Sequence, residues 1–471
     1  KWFYIYARGA VTQTDASAIT NGSPIMKIHA QSADGNTDYD ITLKNEDNVI
    51  QNITNWIGKD IEVVSNRAVQ IGYTLWDAIT ASGYFKLTAR GAVTDQAPAD
   101  PFVPHDITIA ELTTITAQSA DGNTDYDITL DLAGHDFSTI SVTGANVTVV
   151  DANAIVLGAS VVSGTYAVTA TAGGGITNTG VLAITNGATF KVDGGQSISL
   201  NQANTFSSAV TFVPLSGTIR AVTIRDSTAL ELQALTTLEG LTVTAGGAVT
   251  QSGTLVIPGT TTISAVNGSS VKQDVTLGDS SNNFGTTAIT GANVAITDTN
   301  AIILGASTVS GTYSVTAGGA VTNSGTQEIT GITTISASGH NVTLDTATNN
   351  FANEVRITGA AVTVVDEDAI NLGASTVSGT YAVTAGGAVT QSGALAITGA
   401  TTISASGHNV TLNTATNNFQ GAVGITGANV SVVDAGAIAL GASTVTGTYA
   451  VTATAGGGIT DRGVLTITNG A

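Results

Sequence analysis

The sequence has no cysteine, one methionine and six prolines in 471 residues. Without thiols there is no disulfide framework, no thiolate nucleophile and no cysteine metal site. Charge is scarce as well: Asp, Glu, Lys and Arg make up 10% of the chain, and only 14 residues are Lys or Arg. Against 34 acidic residues this leaves a net charge of −20. Neutralising phosphates takes clustered basic side chains, so nucleic acid and anionic membrane surfaces are poor partners. No apolar run has the length or continuity of a membrane-spanning helix, so no membrane insertion is expected. What the chain does have is 55 glycines, set among abundant Thr, Ala, Val and Ile. β-Branched residues favour strands, and the Gly, Asn, Asp and Ser clusters between them favour turns, so the composition predicts an all-β protein.

The chain repeats itself. Tyr166, Leu241, Tyr313, Tyr381 and Tyr449 hold equivalent positions at steps of 75, 72, 68 and 68 residues. The Asp of VVDANAI recurs at Asp151, Asp226, Asp298, Asp366 and Asp434 with the same four steps. The Phe of ATNNF recurs at Phe137, Phe206, Phe284, Phe351 and Phe419, at steps of 69, 78, 67 and 68, which places the insertions on different sides of it. Within each module of about 68 residues, short alternating segments are separated by Gly or Asn. A unit of roughly 20–26 residues cannot bury its own apolar face and must stack on its neighbours. The pattern predicts a right-handed parallel β-helix of about 20 coils, three to a module, with apolar side chains inside and Thr and Ser outside. Aromatic markers spaced once per three coils fill the core separately and are not expected to meet. The Asp of VVDANAI is expected to end a strand and cap the N–H groups of the turn.

GANVTVVDANAIVLGASVVSGTYAVTA, AGGAVTQSGALAITGATTISA and NVTLNTATNNFQGAVGITGANV resemble the repeats of filamentous-haemagglutinin-like bacterial exoproteins. The resemblance is close over 107–471 and loose over 1–106. It implies a long two-partner-secretion adhesin, outside the cell or on the bacterial surface, although the hallmark secretion domain is not visible. Residues 1–13 match the middle of a coil at 83–95, and Ala471 stops where the homologous 188 continues into TFKVDGG, so the chain is expected to be a window on a longer polypeptide.

Two stretches depart from the common pattern. QSADGNTDYDITL occurs at 31–43 and again at 118–130, placing Asp34, Asn36, Asp38 and Asp40, and likewise Asp121, Asn123, Asp125 and Asp127, at every second position. That spacing resembles the start of a calcium loop but lacks the distal bidentate Glu, so calcium sites and plain acidic turns both remain readings of it. Residues 1–106 form a divergent region ahead of the regular array at 107–471. They hold all three tryptophans, Trp2, Trp56 and Trp76, and eight of the 14 basic residues lie in the first 90 positions. Ser65 replaces the repeated Asp, and three prolines at 95–106 mark a loop leaving the coil. Trp2, Trp56, Trp76 and Phe102 are the candidate interaction surface.

A polysaccharide-cleaving β-helix enzyme would need carboxylates converging on one groove, whereas these recur by repeat. His340 and His408 occupy the same turn in successive modules, too far apart to share a metal. An ice-binding array would need Thr in every coil. The reading is a non-catalytic structural and adhesive rod, or else a subunit of a self-assembling extracellular filament or sheath. Its expected partners are other copies of itself, or cell-surface or polysaccharide ligands, and calcium is the only cofactor in view.

Overall fold

The computed structural model describes residues 2–14, 17–20, 25–72, 78–95, 106–454, 456 and 458–469. Among them there is no helix, and the strands pair parallel throughout. The chain divides into two compact units, Lys1–Leu238 and Glu239–Ala471, and the divergent residues 1–106 lie within the first. Each unit is a parallel β-solenoid, and together they hold about 21 turns.

The strands are short because the alternation that makes them is short. In Val147–Asp151, residues Val147, Val149 and Asp151 are buried while Thr148 and Val150 are half-buried, the two-residue period of a strand with one face inward. The next strand, Ile155–Leu157, repeats the pattern over three residues. Stacking is rung on rung: Val294 pairs with Tyr313, Tyr313 with Thr333 and Thr333 with Val355, so a coil takes 19–22 residues. Between strands, glycine lets coils approach. A Cβ on Gly399 would lie 2.5 Å from the Gly379 carbonyl, and one on Gly421 would lie 2.2 Å from that of Gly399. Gly therefore stacks over Gly through three coils.

The register also shows how modules relate. Ten strands lie between Val294 and Gly359, and ten between Val362 and Gly427. On a three-sided coil, ten strands make three turns and one side. Val362, the homologue of Val294 one module later, accordingly does not join the Val294–Tyr313–Thr333 column. It stacks on Val342 and beneath Tyr381, in the column of the next face. Each module of the second unit starts one face further round than the last.

The core is Val, Ile, Leu and Ala with Phe and Tyr between. The aromatic markers are buried as expected, and in the first unit a ring outside the marker series bridges two of them. Phe190, an extra ring, packs edge-on against Tyr166 at 6.1 Å and Phe206 at 6.3 Å, and stacks with Phe212 at 6.1 Å. Phe190 and Phe212 are rung partners on Ala188–Val192 and Val210–Pro214, which the 68-residue markers could not reveal.

Candidate functional site

Every module places polar side chains at its corners. Asp151, Asp298, Asp366 and Asp434 end their strands, and one carboxylate oxygen of each accepts the N–H two residues on, at 2.8, 2.8, 2.9 and 2.6 Å. This is the turn cap that the sequence predicts. The second oxygen does more: it accepts the N–H of Phe137, Phe284, Phe351 or Phe419 from the coil before, at 2.7, 2.6, 2.8 and 2.7 Å. The repeated Asp is thus a link between coils. Asp226 caps Thr228 through its N–H and hydroxyl, both at 2.8 Å, beside a register slip between Leu200 and Asn204. Burial pushes the Asp151 carboxyl up to about 6, and raises those of Asp226, Asp298 and Asp366.

A second buried pair recurs one corner away. Asn282 accepts the Leu255 N–H at 2.9 Å and donates to the Gln251 side chain at 3.0 Å, clasping both ends of the Gln251–Leu255 turn. Asn417 holds Gln391 and Leu395 in the same way, and Asn349 holds Asn323 and Gln327. Asn204 does so with Asn178 and Leu182, and Asn48 with Gln13 and Ile19. In one module an imidazole and a carboxylate take the place of the amide pair. His135, fully buried, accepts the Ile107 N–H on Nδ1 at 3.0 Å, which fixes the proton on Nε2, and Nε2 donates to Asp95 at 2.8 Å. Asp95 also accepts the Leu132 N–H at 3.0 Å. Asp95 and Ile107 are the two ends of the proline-bearing insertion, whose residues 96–105 lie outside the described residues.

The two DGNTDYD turns are hydrogen-bonded loops of one design. Asp34 accepts the Ser32 hydroxyl at 2.5 Å and the Asn36 amide at 2.9 Å, while Asp38 accepts from Gln31 at 2.8 Å. Asp121 accepts from Ser119 at 2.6 Å and Asn123 at 2.9 Å, and Asp125 from Gln118 at 2.8 Å. Asp127 instead accepts both N–H groups of Asn146 at 3.0 Å, on the next coil. The Ser119 hydroxyl and Asn123 hold the Asp121 carboxyl down to about 2, and the Ser32 and Asn36 bonds lower that of Asp34. Among the described residues no three His, Asp or Glu side chains converge on one point. Asp40 is exposed at the foot of its loop, and the structure does not gather it with Asp34 and Asp38 into one donor set. The geometry is that of an Asx-type turn.

The tryptophan surface needs correction. Trp56 is fully buried and its indole N–H donates to the Met26 carbonyl at 2.8 Å. Two consecutive buried residues, Ile53 and Thr54, precede Asn55 at φ +44°, and the pairing slips there from Met26–Ile53 to Ile28–Trp56. That bulge turns Trp56 inward, where uninterrupted alternation would have left it outside. Trp2 lies in Trp2–Ala7, with its side chain outside the described residues, as are Trp76 and Phe102 entirely. Among the described residues of this region, the exposed rings are Phe3, Tyr4 and Tyr6 on the first strand and Tyr84 further on. Tyr6 packs edge-on against His29 at 5.0 Å.

A feature that the sequence reading missed is a polar hollow on neighbouring coils of the first unit. One cavity of about 440 Å³ is lined by Asn52, Gln70 and Thr94, which are successive rungs, and by Gln51 and Ala68. A second of about 390 Å³ shares Gln51 and Ala68 and adds Asn66, Arg67 and Arg90. Its sequence signal was two arginines at turn positions that Gly, Asn, Asp or Thr fill in later modules.

Among known families, the model described as repeats of unknown function (DUF5649) matches six consecutive stretches: 59–143, 144–213, 219–290, 291–358, 359–426 and 427–471. No curated protein and no solved structure shows a significant match.

Proposed function

The chain belongs to that repeat family, and from this footing we propose that it is a structural and adhesive protein of the bacterial surface or exterior, a rigid β-solenoid that performs no catalysis. The observation that carries the reading is where the chemistry-bearing side chains go. In module after module the buried Asp and the buried amide pair are spent on backbone N–H groups of adjoining coils. Polar groups committed in this way stiffen a stack and are not free for substrate. The resemblance of the repeats to surface exoproteins supports the location. A filament or sheath subunit is the second reading, favoured by the exposed rings of Phe3, Tyr4 and Tyr6.

Negative-stain microscopy of the natural assembly, with and without a calcium chelator, separates them. Single thin particles that attach to polysaccharide-coated beads are expected for the adhesin. Regular fibres would replace it with the filament reading, and their collapse on chelation would turn the acidic turns into metal-bound joints. Release of sugar ends from a polysaccharide panel would overturn the non-catalytic reading.

A further inference from the structure

We propose that the hollow around Arg67 and Arg90 binds an acidic polysaccharide, one whose sugars carry carboxylates. The inference rests on the adhesive reading above and names the ligand class for it.

Three departures from the repeat fall together here. At the position of the repeated Asp stands Ser65, buried and neutral, whose hydroxyl donates to the Ile50 carbonyl at 2.8 Å. Two residues on, Arg67 replaces the Asn153, Asn300, Asp368 or Gly436 of later modules. One coil further, Arg90 replaces Gly246, Gly318 or Gly386. Val69 and Val93 are rung partners, so both guanidinium groups rise from corners of adjacent coils. The same corner that carries a buried carboxylate elsewhere here carries cations and no buried acid, in a chain of net charge −20.

The two arginines differ in commitment. Arg90 is braced: it donates to Glu46 at 2.7 Å, its backbone N–H binds the Ser65 carbonyl at 2.9 Å, and its Nε is buried with no partner. Arg67 is exposed and has no hydrogen-bond or ion-pair partner among the described residues. With Glu46 offsetting Arg90, the corner keeps one uncompensated guanidinium, a planar fork suited to a carboxylate. Beside it, Asn52 and Thr94, on the rungs either side of Gln70, offer an amide and a hydroxyl that can donate to and accept from sugar hydroxyls. Cavities of about 440 and 390 Å³ fall within the range of small-ligand sites, and their sharing of Gln51 and Ala68 makes one continuous hollow suited to a chain. Among the described residues, none of the exposed large apolar side chains lines it, and a protein partner would want such an anchor.

The test is titration calorimetry of the 471-residue chain with polygalacturonate, and with dextran as the uncharged control. Binding to polygalacturonate that weakens with salt, and no comparable binding to dextran, is expected. Arg67→Gln should weaken it about tenfold or more, the loss of one charge-assisted contact. Lys59→Gln, which removes an equal charge elsewhere in the unit, should leave it unchanged. Arg67 has no partner to lose, so its variant should melt with the wild type. No binding to polygalacturonate, equal binding to dextran, or equal binding by Arg67→Gln would overturn the proposal. So would sedimentation showing self-association that Arg67→Gln abolishes, because the corner would then be a contact for a second copy's acidic surface. Attachment to other surfaces without polygalacturonate binding would sink this site alone and leave the adhesive reading standing.

Discussion

Asp366 shows what one buried side chain does in this fold. Its two oxygens satisfy the Phe351 and Asp368 N–H groups, at 2.8 and 2.9 Å. Asp366→Ala leaves both donors unbonded, one of them in the core, and is expected to cost about 2–4 kcal/mol in urea unfolding. Tyr381 makes the opposite case. Its hydroxyl is buried with no bond of normal geometry, although Ser375 lies near, already bonded to the Ile357 N–H and the Gly373 carbonyl. Tyr381→Phe removes an unsatisfied group and keeps the ring, so its stability should stay within about 1 kcal/mol of wild type or rise. Both roles trace to legible markers, because Asp and Tyr recur at fixed steps. Trp56 was not legible: its direction depends on the bulge at Asn55, and a bulge in a non-repeating strand leaves no periodic sign.

At the level of coil and turn, the pair that clasps each turn is the informative element. Asp95 and His135 stand where Gln391 and Asn417 stand elsewhere, and both versions hold the ends of a turn. The turn from Gln391 to Leu395 is short, whereas that from Asp95 to Ile107 carries the inserted prolines, so the clasp tolerates an insertion it encloses. His135→Ala should destabilise by about 2–4 kcal/mol, leaving the Ile107 N–H unbonded and the buried Asp95 held by the Leu132 N–H without the imidazole. Adding Asp95→Gln to His135→Asn restores the amide pair of the other modules, and thermal melts should return most of the loss. If the double variant is as unstable as His135→Ala, the two versions are not interchangeable. The coil length and the acidic turns could be read from spacing. The clasp could not, because its members lie 22–40 residues apart in sequence and meet only when coils stack.

Across the molecule, the buried carboxylates make stability depend on pH in an unusual direction. The folded-state values of Asp151, Asp226, Asp298 and Asp366 lie above those of an unfolded chain, so the folded form binds more protons in the interval between them. Their contribution is fully present below the ordinary carboxylate range and is lost as pH rises through the raised values, about 6 for Asp151. The melting temperature should therefore rise on acidification from about pH 7.5 to about pH 5. Asp34, Asp121, Glu62 and Glu354, held below their ordinary values, work the other way, and their contribution goes only at stronger acid. A melting temperature that falls steadily from neutral pH downward would contradict the scheme. The all-β stacking behind it was legible from composition and repeat length. The step of one face per module was not, since it follows from counting strands around a corner. That step has a consequence for display in the second unit. Val294, Val362 and their homologue Val430 set out from successive faces, so whatever a module shows to solvent is carried around the axis like leaves on a stem. A motif present once per module forms no flat strip for a planar partner. It shows a new compass bearing each time, an arrangement suited to grip within a surrounding mesh.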